Sequence, residues 1–585
     1  MAKENKKDRS GNLPESISEF INQVIKKMRY RRKVRREVQA ELTAHFEDEL
    51  KNCATEEEKD EKARQLISEF GDVKLLAVLL RRAKKRCRPL WRTIVARSFQ
   101  TIGALILCFI FYCVYISLGQ PNIRVNYLKE LTNVNRPVVS ESQNAAPLYQ
   151  KSFDSYKEPP DLELTDEELV YWNDKKLLTA IGNKQWLDEL TEKELIALKI
   201  WISSNTEAIE LFKQATEKPY CWWERQKDGE LLLNVLLPEW SEMKNFSRLL
   251  SWRAVLKANS GNIEEAFDDL LVCFRAGRHL NGPRFLVEQL VGWAIQGKPV
   301  ATAFIILQHR QVEGPLLKKF QAELEKIMAE QTYIPDYTAE RFWAWDFIQR
   351  CYTDNGCGSG HMIPGRLSTI SSQDSDILID FENPVLDYGQ FLAMSIVTAD
   401  RDKMRQMFEN YYDNAQRWAY KTPWQLHQEN VDFEMGIYDW PRLKQIRYWP
   451  VRVFMPASGR INQIAYRYKL HTEALITVTA LFRYRQDKNL YPKNLEELVT
   501  ADYMKKLPMD CFSNKPLVYK KADDNFLLYS YGPDCKDDGG KPGYDRKGEY
   551  RLWFDKDADA IFWPEPEPKS IPEEPYSPEM MAPGY

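Results

Sequence analysis

Residues Ser98–Leu118, SFQTIGALILCFIFYCVYISL, carry no charge over 21 residues, and their reading sorts everything on either side of them. At about 1.5 Å rise per residue, a helix of this length spans roughly 30 Å of hydrocarbon. The flank before it, RRAKKRCRPLWRTIVAR, holds eight Lys/Arg between Arg81 and Arg97, whereas the flank after it has only Arg124 and Lys129 nearby. That asymmetry predicts a single-pass helix of the cytoplasmic (inner) membrane, with the N-terminus cytoplasmic and the chain beyond Gly119 outside. The competing readings are a buried core helix and a cleaved signal peptide. Against the second, 97 residues, many of them charged, precede the segment.

Charge divides at the same place. Before Ser98 there are 25 Lys+Arg against 16 Asp+Glu; after it there are 57 against 69. A basic head thus precedes an acidic body. With 585 residues, 44% of them hydrophobic and 12% aromatic, the chain is long and apolar enough for several domains with sizeable cores.

The expected fold class is mainly α. A cytoplasmic helical bundle occupies residues 1–90, the membrane helix 98–118, and an extracytoplasmic, irregular, solenoid-like helical domain 119–459. A small α+β module covers 460–563, and the Pro/Glu-rich tail 564–585 is expected to be disordered.

In the head, Ile17, Phe20, Ile21, Val24, Ile25 and Met28 recur at helical spacing, followed by Val38, Leu42, Phe46 and Leu50. A third run, Ala63, Leu66, Ile67 and Phe70, stops at Gly71, where a helix-ending glycine belongs. The pattern REVQAELTAHFEDEL, a linker, then ARQLISEFGD resembles the small helical prefix domain (the HAAS type) found ahead of membrane segments in bacterial permeases and sensor-like proteins. The matching residues are Glu37, Glu41, His45, Asp48, Gly71 and Asp72. The resemblance implies docking or signalling rather than catalysis. The basic run Arg29–Arg36 is read as a solvated or lipid-facing surface, and no nucleic-acid partner is expected.

The 119–459 region reads as helical, with apolar residues at three- and four-residue spacing in Asp188–Ala215, Asn245–Asn259, Ile263–Leu280 and Gly314–Gln331. Asn245–Leu280 forms a hairpin around Gly261–Asn262, with Ala254, Ala258 and Ala266 allowing close approach. It resembles one tetratricopeptide-type hairpin, but no copy follows at a 34-residue period. Asn355–Asp376 reads as a polar loop and the best internal boundary.

This region also holds 14 of the 17 tryptophans, from Trp172 to Trp449, including the pair Trp222–Trp223. Helix-spaced tryptophans are usually core; a ligand groove and a catalytic cleft are the other readings. A hydrolase would need two carboxylates about 5 to 10 Å apart, and sequence cannot choose them among so many. No HExxH, GxxxxGK[ST] or GxSxG motif is present, and the six histidines lack metal-ligand spacing. No catalytic residue is assigned, and the chain is read as a non-enzyme.

The C-terminal module carries the most specific motif, YSYGPDCKDDGG at Tyr529–Gly540. Asp534, Asp537 and Asp538 meet three glycines, so hard oxygen ligands sit on a tightly folding backbone, as Ca²⁺ requires. Residues 476–540 resemble the soluble part of the major pseudopilin of type II secretion (protein G-like). The shared order is a helix, Tyr491–Pro492, a short helix Asn494–Val499, Leu507–Pro508, Asp510, the strands PLVY and FLLYS, and the GPD-x-KDDGG loop. The resemblance covers about 65 residues and implies Ca²⁺ at Asp534, Asp537 and Asp538. Where the family has a proline and a small residue, this chain has Cys511 and Cys535. The paired departures imply a disulfide closing a loop of about 25 residues, worth roughly 2–4 kcal/mol.

Among the other cysteines outside the membrane, Cys221, Cys273, Cys351 and Cys357, pairing stays open. DKDADA at Asp555–Ala560 imitates the start of an EF-hand loop but lacks its glycine and glutamate (Ala560, Pro566). The module lies far from the membrane segment, and no prepilin cleavage site precedes it, so it is not read as a filament subunit. As a composite, the chain resembles membrane-anchored proteins of planctomycete-type bacteria.

Two functions are expected to compete. One is a membrane-anchored envelope binding or scaffold protein, with the lipid bilayer and a protein or glycan as partners. The alternative is a membrane-anchored extracytoplasmic glycan hydrolase with a Trp-lined cleft.

Overall fold

The computed structural model describes residues 13–86, 90–136, 139–162, 176–182, 184–225, 232, 237, 239–357, 359–366, 384–433, 436–455, 457–554 and 556–569. Trp172, Asp555, half of the expected polar loop and most of the Pro/Glu-rich tail lie outside the described residues. The protein is mainly helical with a small sheet region, and it divides into two compact units, Met1–Val114 and Tyr115–Tyr585.

The first unit is built from α1 (Glu15–Lys27), α2 (Arg32–Leu50), α3 (Glu56–Phe70), α4 (Val73–Arg86) and α5 (Leu90–Ser117), whose last residues pass into the second unit. The apolar rows expected from periodicity converge: Ile17, Phe20, Ile21 and Val24 meet Val38, Leu42, Phe46 and Leu50, closed by Ala63, Leu66 and Ala77. Phe46 sits between Phe20 and Phe70, with ring centroids 6.1 and 5.2 Å away. Its complete burial stabilises the bundle by about 2–3 kcal/mol. Thr55 and Glu58 form a reciprocal cap at the start of α3, and Gly71 ends that helix at φ +70°. Of the prefix-type residues, Glu41 pairs with Lys84 of α4, and His45 packs edge-on against Phe70.

Two stretches are long and apolar enough to cross a membrane by length and composition, Ile94–Ser117 and Leu286–His309. Their environments are opposite: 6% of the first window is buried and 78% of the second. The second stretch, which periodicity in the sequence does not set apart, is a core helix.

In the second unit, α6 (Tyr127–Asn135), α7 (Ala146–Asp154), α8 (Glu192–Ser204) and α9 (Thr206–Thr216) precede the expected hairpin, α10 (Glu239–Asn259) and α11 (Ile263–Arg278). Gly261 turns the hairpin at φ +89°, and Ala254, Ala258 and Ala266 are fully buried between its arms. The core helix α12 (Leu286–His309) packs on both arms. α11 and α12 cross at Gly277 and Gly292, where a Cβ on Gly277 would stand 2.5 Å from the Gly292 carbonyl oxygen. Pro299 interrupts the ladder of α12 and leaves the Ile295 carbonyl without its usual donor. Ser247 Oγ of α10 supplies one at 2.9 Å.

Next come α13 (Gly314–Ala329), α14 (Thr338–Cys351), α15 (Pro384–Val397), α16 (Arg401–Ala419), α17 (Pro423–Gln428), α18 (Arg442–Arg447), α19 (Trp449–Phe454), the 31-residue α20 (Ser458–Lys488) and α21 (Glu496–Thr500). α20 begins at the boundary expected near residue 460, yet it lies against α12 and α13. One apolar cluster accordingly runs from Ala145 to Trp563 without a break there. A second cluster is centred on α14 and α16.

The sheet region contains a two-stranded ladder, β1 (Met509–Asp510) with β2 (Lys515–Pro516), and the antiparallel order β3–β4–β5. β3 (Val518–Lys521) pairs with β4 (Phe526–Ser530) in the register Tyr519↔Leu528, as the PLVY and FLLYS runs lead one to expect. β5 (Ala560–Trp563) pairs Tyr529 with Ile561 and is buried on both faces. So short a continuous apolar run has no alternation to reveal it.

Candidate functional site

The KDDGG loop is organised by a residue that the sequence reading passed over. Asp559, buried beside β5, accepts the backbone amides of Asp538, Gly540 and Lys541 at 3.3, 2.7 and 3.3 Å. Burial raises its carboxyl above the usual range, and the amides oppose that shift. Gly539 and Gly540 hold φ of +79° and +90°, which lets successive N–H groups turn toward one carboxylate.

The expected metal ligands, Asp534, Asp537 and Asp538, lie in this loop. Asp534 accepts the amides of Lys536 and Asp557, at 3.1 and 2.9 Å. Asp537 accepts the Tyr529 hydroxyl at 2.9 Å and the Gly539 amide at 3.0 Å. Asp538 Oδ2 is buried with no hydrogen-bond partner among the described residues. No group of three or more His, Cys, Asp or Glu converges to hold a metal ion among the described residues. Asp534 thus has one amide donor on each oxygen, and both donors given for Asp537 fall on its Oδ1.

Cys511 is buried and Cys535 half-buried, and their sulfurs are unbridged in this structure. Their segments are neighbours, because the Asp510 carboxylate accepts from Ser530 Oγ at 2.7 Å and from the Tyr531 amide at 3.2 Å. The side chains have other company: Cys511 Sγ lies 4.0 Å from the Tyr466 carbonyl, and Cys535 Sγ lies 4.0 Å from that of Pro533. Burial pushes the Cys535 thiol up to about 11.

The tryptophans resolve largely into core. Trp186, Trp201, Trp252, Trp293 and Trp343 are buried. Trp222 is buried as well, and the half-buried Trp223 beside it helps to wall an open cleft of about 690 Å³ with Lys129, Arg136, Glu141, Asn144, Gln150 and Arg225. Asn144 fixes this wall by donating Nδ2 to the Trp222 carbonyl at 2.9 Å and accepting the Trp222 amide at 2.8 Å. Trp223 stacks on Tyr149, with centroids 5.8 Å apart. Tyr149 Oη lies 2.9 Å from His279 Nδ1, and His279 Nε2 lies 2.9 Å from the Lys218 carbonyl. A carbonyl only accepts, so Nε2 carries the proton and Nδ1 accepts from the tyrosine. Burial lowers His279 to about 3, keeping the ring neutral.

Behind the cleft lies a buried ionic network. Arg225 binds Glu239 and Glu288, Arg284 stands 3.5 Å from Glu288, and Arg284 also donates to the Cys221 carbonyl. Arg225 extends over the Trp223 ring at 5.7 Å. Both carboxylates, Glu239 of α10 and Glu288 of α12, are thus paired with arginine, so the wall is preorganised. Within the cleft, Glu141 is paired to Arg136. The run CWWER at Cys221–Arg225 was the available signal, but Asn144 and the glutamates come from other elements.

A second cavity, about 500 Å³, lies among Met328, Tyr333, Ile334, Tyr466, Ile476 and Met504, with Glu473, Lys469, Lys505 and Lys506 around it. Burial raises the Glu473 carboxyl, against the pull of Lys469 at 3.8 Å.

No protein-family model, no curated protein and no solved structure matches the chain.

Proposed function

We propose that the chain is a single-pass, membrane-anchored envelope protein whose extracytoplasmic bulk binds a glycan or protein partner, while the basic head docks a partner in the cytoplasm. The cleft walled by Trp222 and Trp223 carries this reading. It is open, aromatic on one side and polar at its rim, which suits a sugar face or an extended peptide. The anchor rests on the exposed apolar side chains of Ile94–Ser117 and the eight cations before them.

The pseudopilin-like reading of the C-terminal module draws support from element order. The long helix, the short helix, the strands β3 and β4, and the loop follow one another as that resemblance implies. Its Ca²⁺ belongs to the proposal, with Asp538 Oδ2 as the point of entry and with Asp534 and Asp537 exchanging amide donors for metal. A rise in melting temperature with Ca²⁺ over chelator, lost in Asp538→Ala, is the expected result; no difference removes the ion from the reading. The Cys511–Cys535 tie is tested by peptide mapping without reductant, in which two free thiols would end it.

The experiment for the main reading is crosslinking from native membranes, coupled to pelleting of the full chain with isolated envelope glycan. Wild type is expected to be captured, and Trp223→Ala to lose roughly tenfold in capture, as removal of a central aromatic does, with an unchanged circular dichroism spectrum. Capture that ignores Trp223 would sink the cleft as the site. The hydrolase alternative would have to use Glu141 and Glu224 as its carboxylates, and release of reducing ends from the pelleted glycan would favour it.

A further inference from the structure

The first residues of the second unit are tied into its body. The Tyr115 ring packs on the His361 imidazole at 4.8 Å, and His361 Nε2 lies 3.3 Å from the Ile116 carbonyl. Gly119 leaves no room for a side chain, since a Cβ there would stand 2.6 Å from Thr353 Cγ2. Pro121 pairs with Thr353, and Asp354 holds Arg124 at 3.0 Å and Arg401 at 3.2 Å. The connection continues: the Arg401 amide donates to the Gly360 carbonyl at 2.8 Å, and the Ala399 amide to the Arg447 carbonyl at 2.9 Å. Trp449 Nε1 then donates to Thr398 Oγ1 at 3.1 Å. The residues that leave the apolar helix α5 are therefore stitched, through short bonds, to α18 and α19.

On those two helices aliphatic side chains are exposed alongside the cations. Leu443 is 81% exposed, Ile446 48% and Val453 37%. Tyr388 and Val397 are exposed on α15, which packs beside α18. Between Pro441 and Phe454 stand four cations, Arg442, Lys444, Arg447 and Arg452, and no acidic residue. Lys444 Nζ sits 3.8 Å over the ring of Trp440. Of the acids on the joined segments, Asp354 binds Arg124 and Arg401, and Asp400 binds Lys403; α15 carries one further acid, Asp387. Asp439 precedes the segment. Exposed aliphatic side chains among cations and interface-type aromatics are the composition of a surface that lies in a lipid headgroup layer. In water the same apolar area is unfavourable, at about 25 cal/mol per Å².

We propose that α15, α18 and α19 form a lipid-contacting face that rests on an anionic leaflet beside the point where the chain leaves the bilayer. Leu443, Ile446 and Val453 enter the acyl–glycerol boundary, and Arg442 and Lys444 meet lipid phosphates. The proposal rests on the reading of α5 as a membrane anchor and goes beyond it.

The test places a photoreactive benzoylphenylalanine singly at Leu443, at Ile200 or at Phe109 in the full chain. The protein is reconstituted into phosphatidylcholine vesicles with or without phosphatidylglycerol. Ile200 is an exposed aliphatic residue of α8 and serves as the surface control. Lipid adducts at Leu443 are expected to exceed those at Ile200 by roughly tenfold and to fall when phosphatidylglycerol is left out, as electrostatic attraction to anionic lipid requires. Adducts at Phe109 without adducts at Leu443 would overturn the face and leave the anchor standing. Absence of adducts at both positions would remove the anchor and the face together. Adducts of Leu443 to protein alone would make this surface a protein interface and overturn the proposal as well.

Discussion

Asp559 accepts the amide of Gly540 at 2.7 Å from 19 residues downstream, and so closes the acidic loop with an anion of the chain's own. Asp559→Ala removes the acceptor of three amides in one step. It is expected to cost about 2–3 kcal/mol or more, since buried amides without partners each carry a penalty of that order. Asp559→Asn, which keeps one acceptor oxygen, is expected to lose less. Urea denaturation and the rate of proteolytic cleavage within 532–541 report both, and an unchanged cleavage rate in the alanine variant would refute the role.

Ser247 and Pro299 form a matched pair across two helices. Ser247→Ala leaves the Ile295 carbonyl unsatisfied and is expected to destabilise by about 1–2 kcal/mol. In a Pro299→Ala background the helix supplies its own donor, and the serine change is expected to become nearly neutral. A double-mutant cycle measured by thermal denaturation checks this; equal costs in both backgrounds would exclude the pairing.

Arg225→Met is expected to be severe, because it strands Glu239 in the interior and leaves Glu288 with Arg284 alone. The cost of an uncompensated buried charge is about 3–5 kcal/mol. Arg225→Lys is expected to rescue little, as one ammonium cannot bind both carboxylates in fork geometry. Equal stability of the lysine variant and wild type in chemical denaturation would contradict this account.

Glu340 introduces a pH dependence of definite sign. Burial pushes its carboxyl up to about 8, its Oε2 has no partner among the described residues, and one oxygen accepts the Leu286 amide. The folded state therefore favours the protonated form. This contribution to stability is complete below the unfolded value near 4.5 and is lost as pH rises toward 8. Glu340→Gln is expected to stabilise the protein by about 1–3 kcal/mol at pH 8 and above, and to change little at pH 4. Melting curves of both proteins across that range measure it, and a difference independent of pH would remove the assignment.

Periodicity made much of the fold legible. The rows in α1–α3, the Gly261 turn with its alanines, and the strands β3 and β4 are local patterns that packing then confirmed. The acidic loop was legible as a loop, but its chemistry was not. Asp534, Asp537 and Asp538 look like ligands in one dimension, whereas amides of the same loop take up Asp534 and Asp537. Asp559 lies within the DKDADA imitation of an EF-hand, and its amide partners, 18 to 21 residues upstream, are out of reach of a local motif. The Trp222–Trp223 cleft showed only its aromatic half, since Asn144, Glu239 and Glu288 arrive from distant positions.

The sequence by itself determined where the chain divides: an uncharged run with cations on one side is a matter of length and composition, and needs no partner to be read. By length and mean hydropathy alone α12, at 1.5, passes for a membrane helix as α5 does at 2.1. Tertiary structure decided that difference, by surrounding α12 with α10, α11 and α20 and leaving α5 exposed. The physical reason is that hydrophobicity belongs to a residue, but burial belongs to its neighbours, and neighbours are fixed only when the chain has folded.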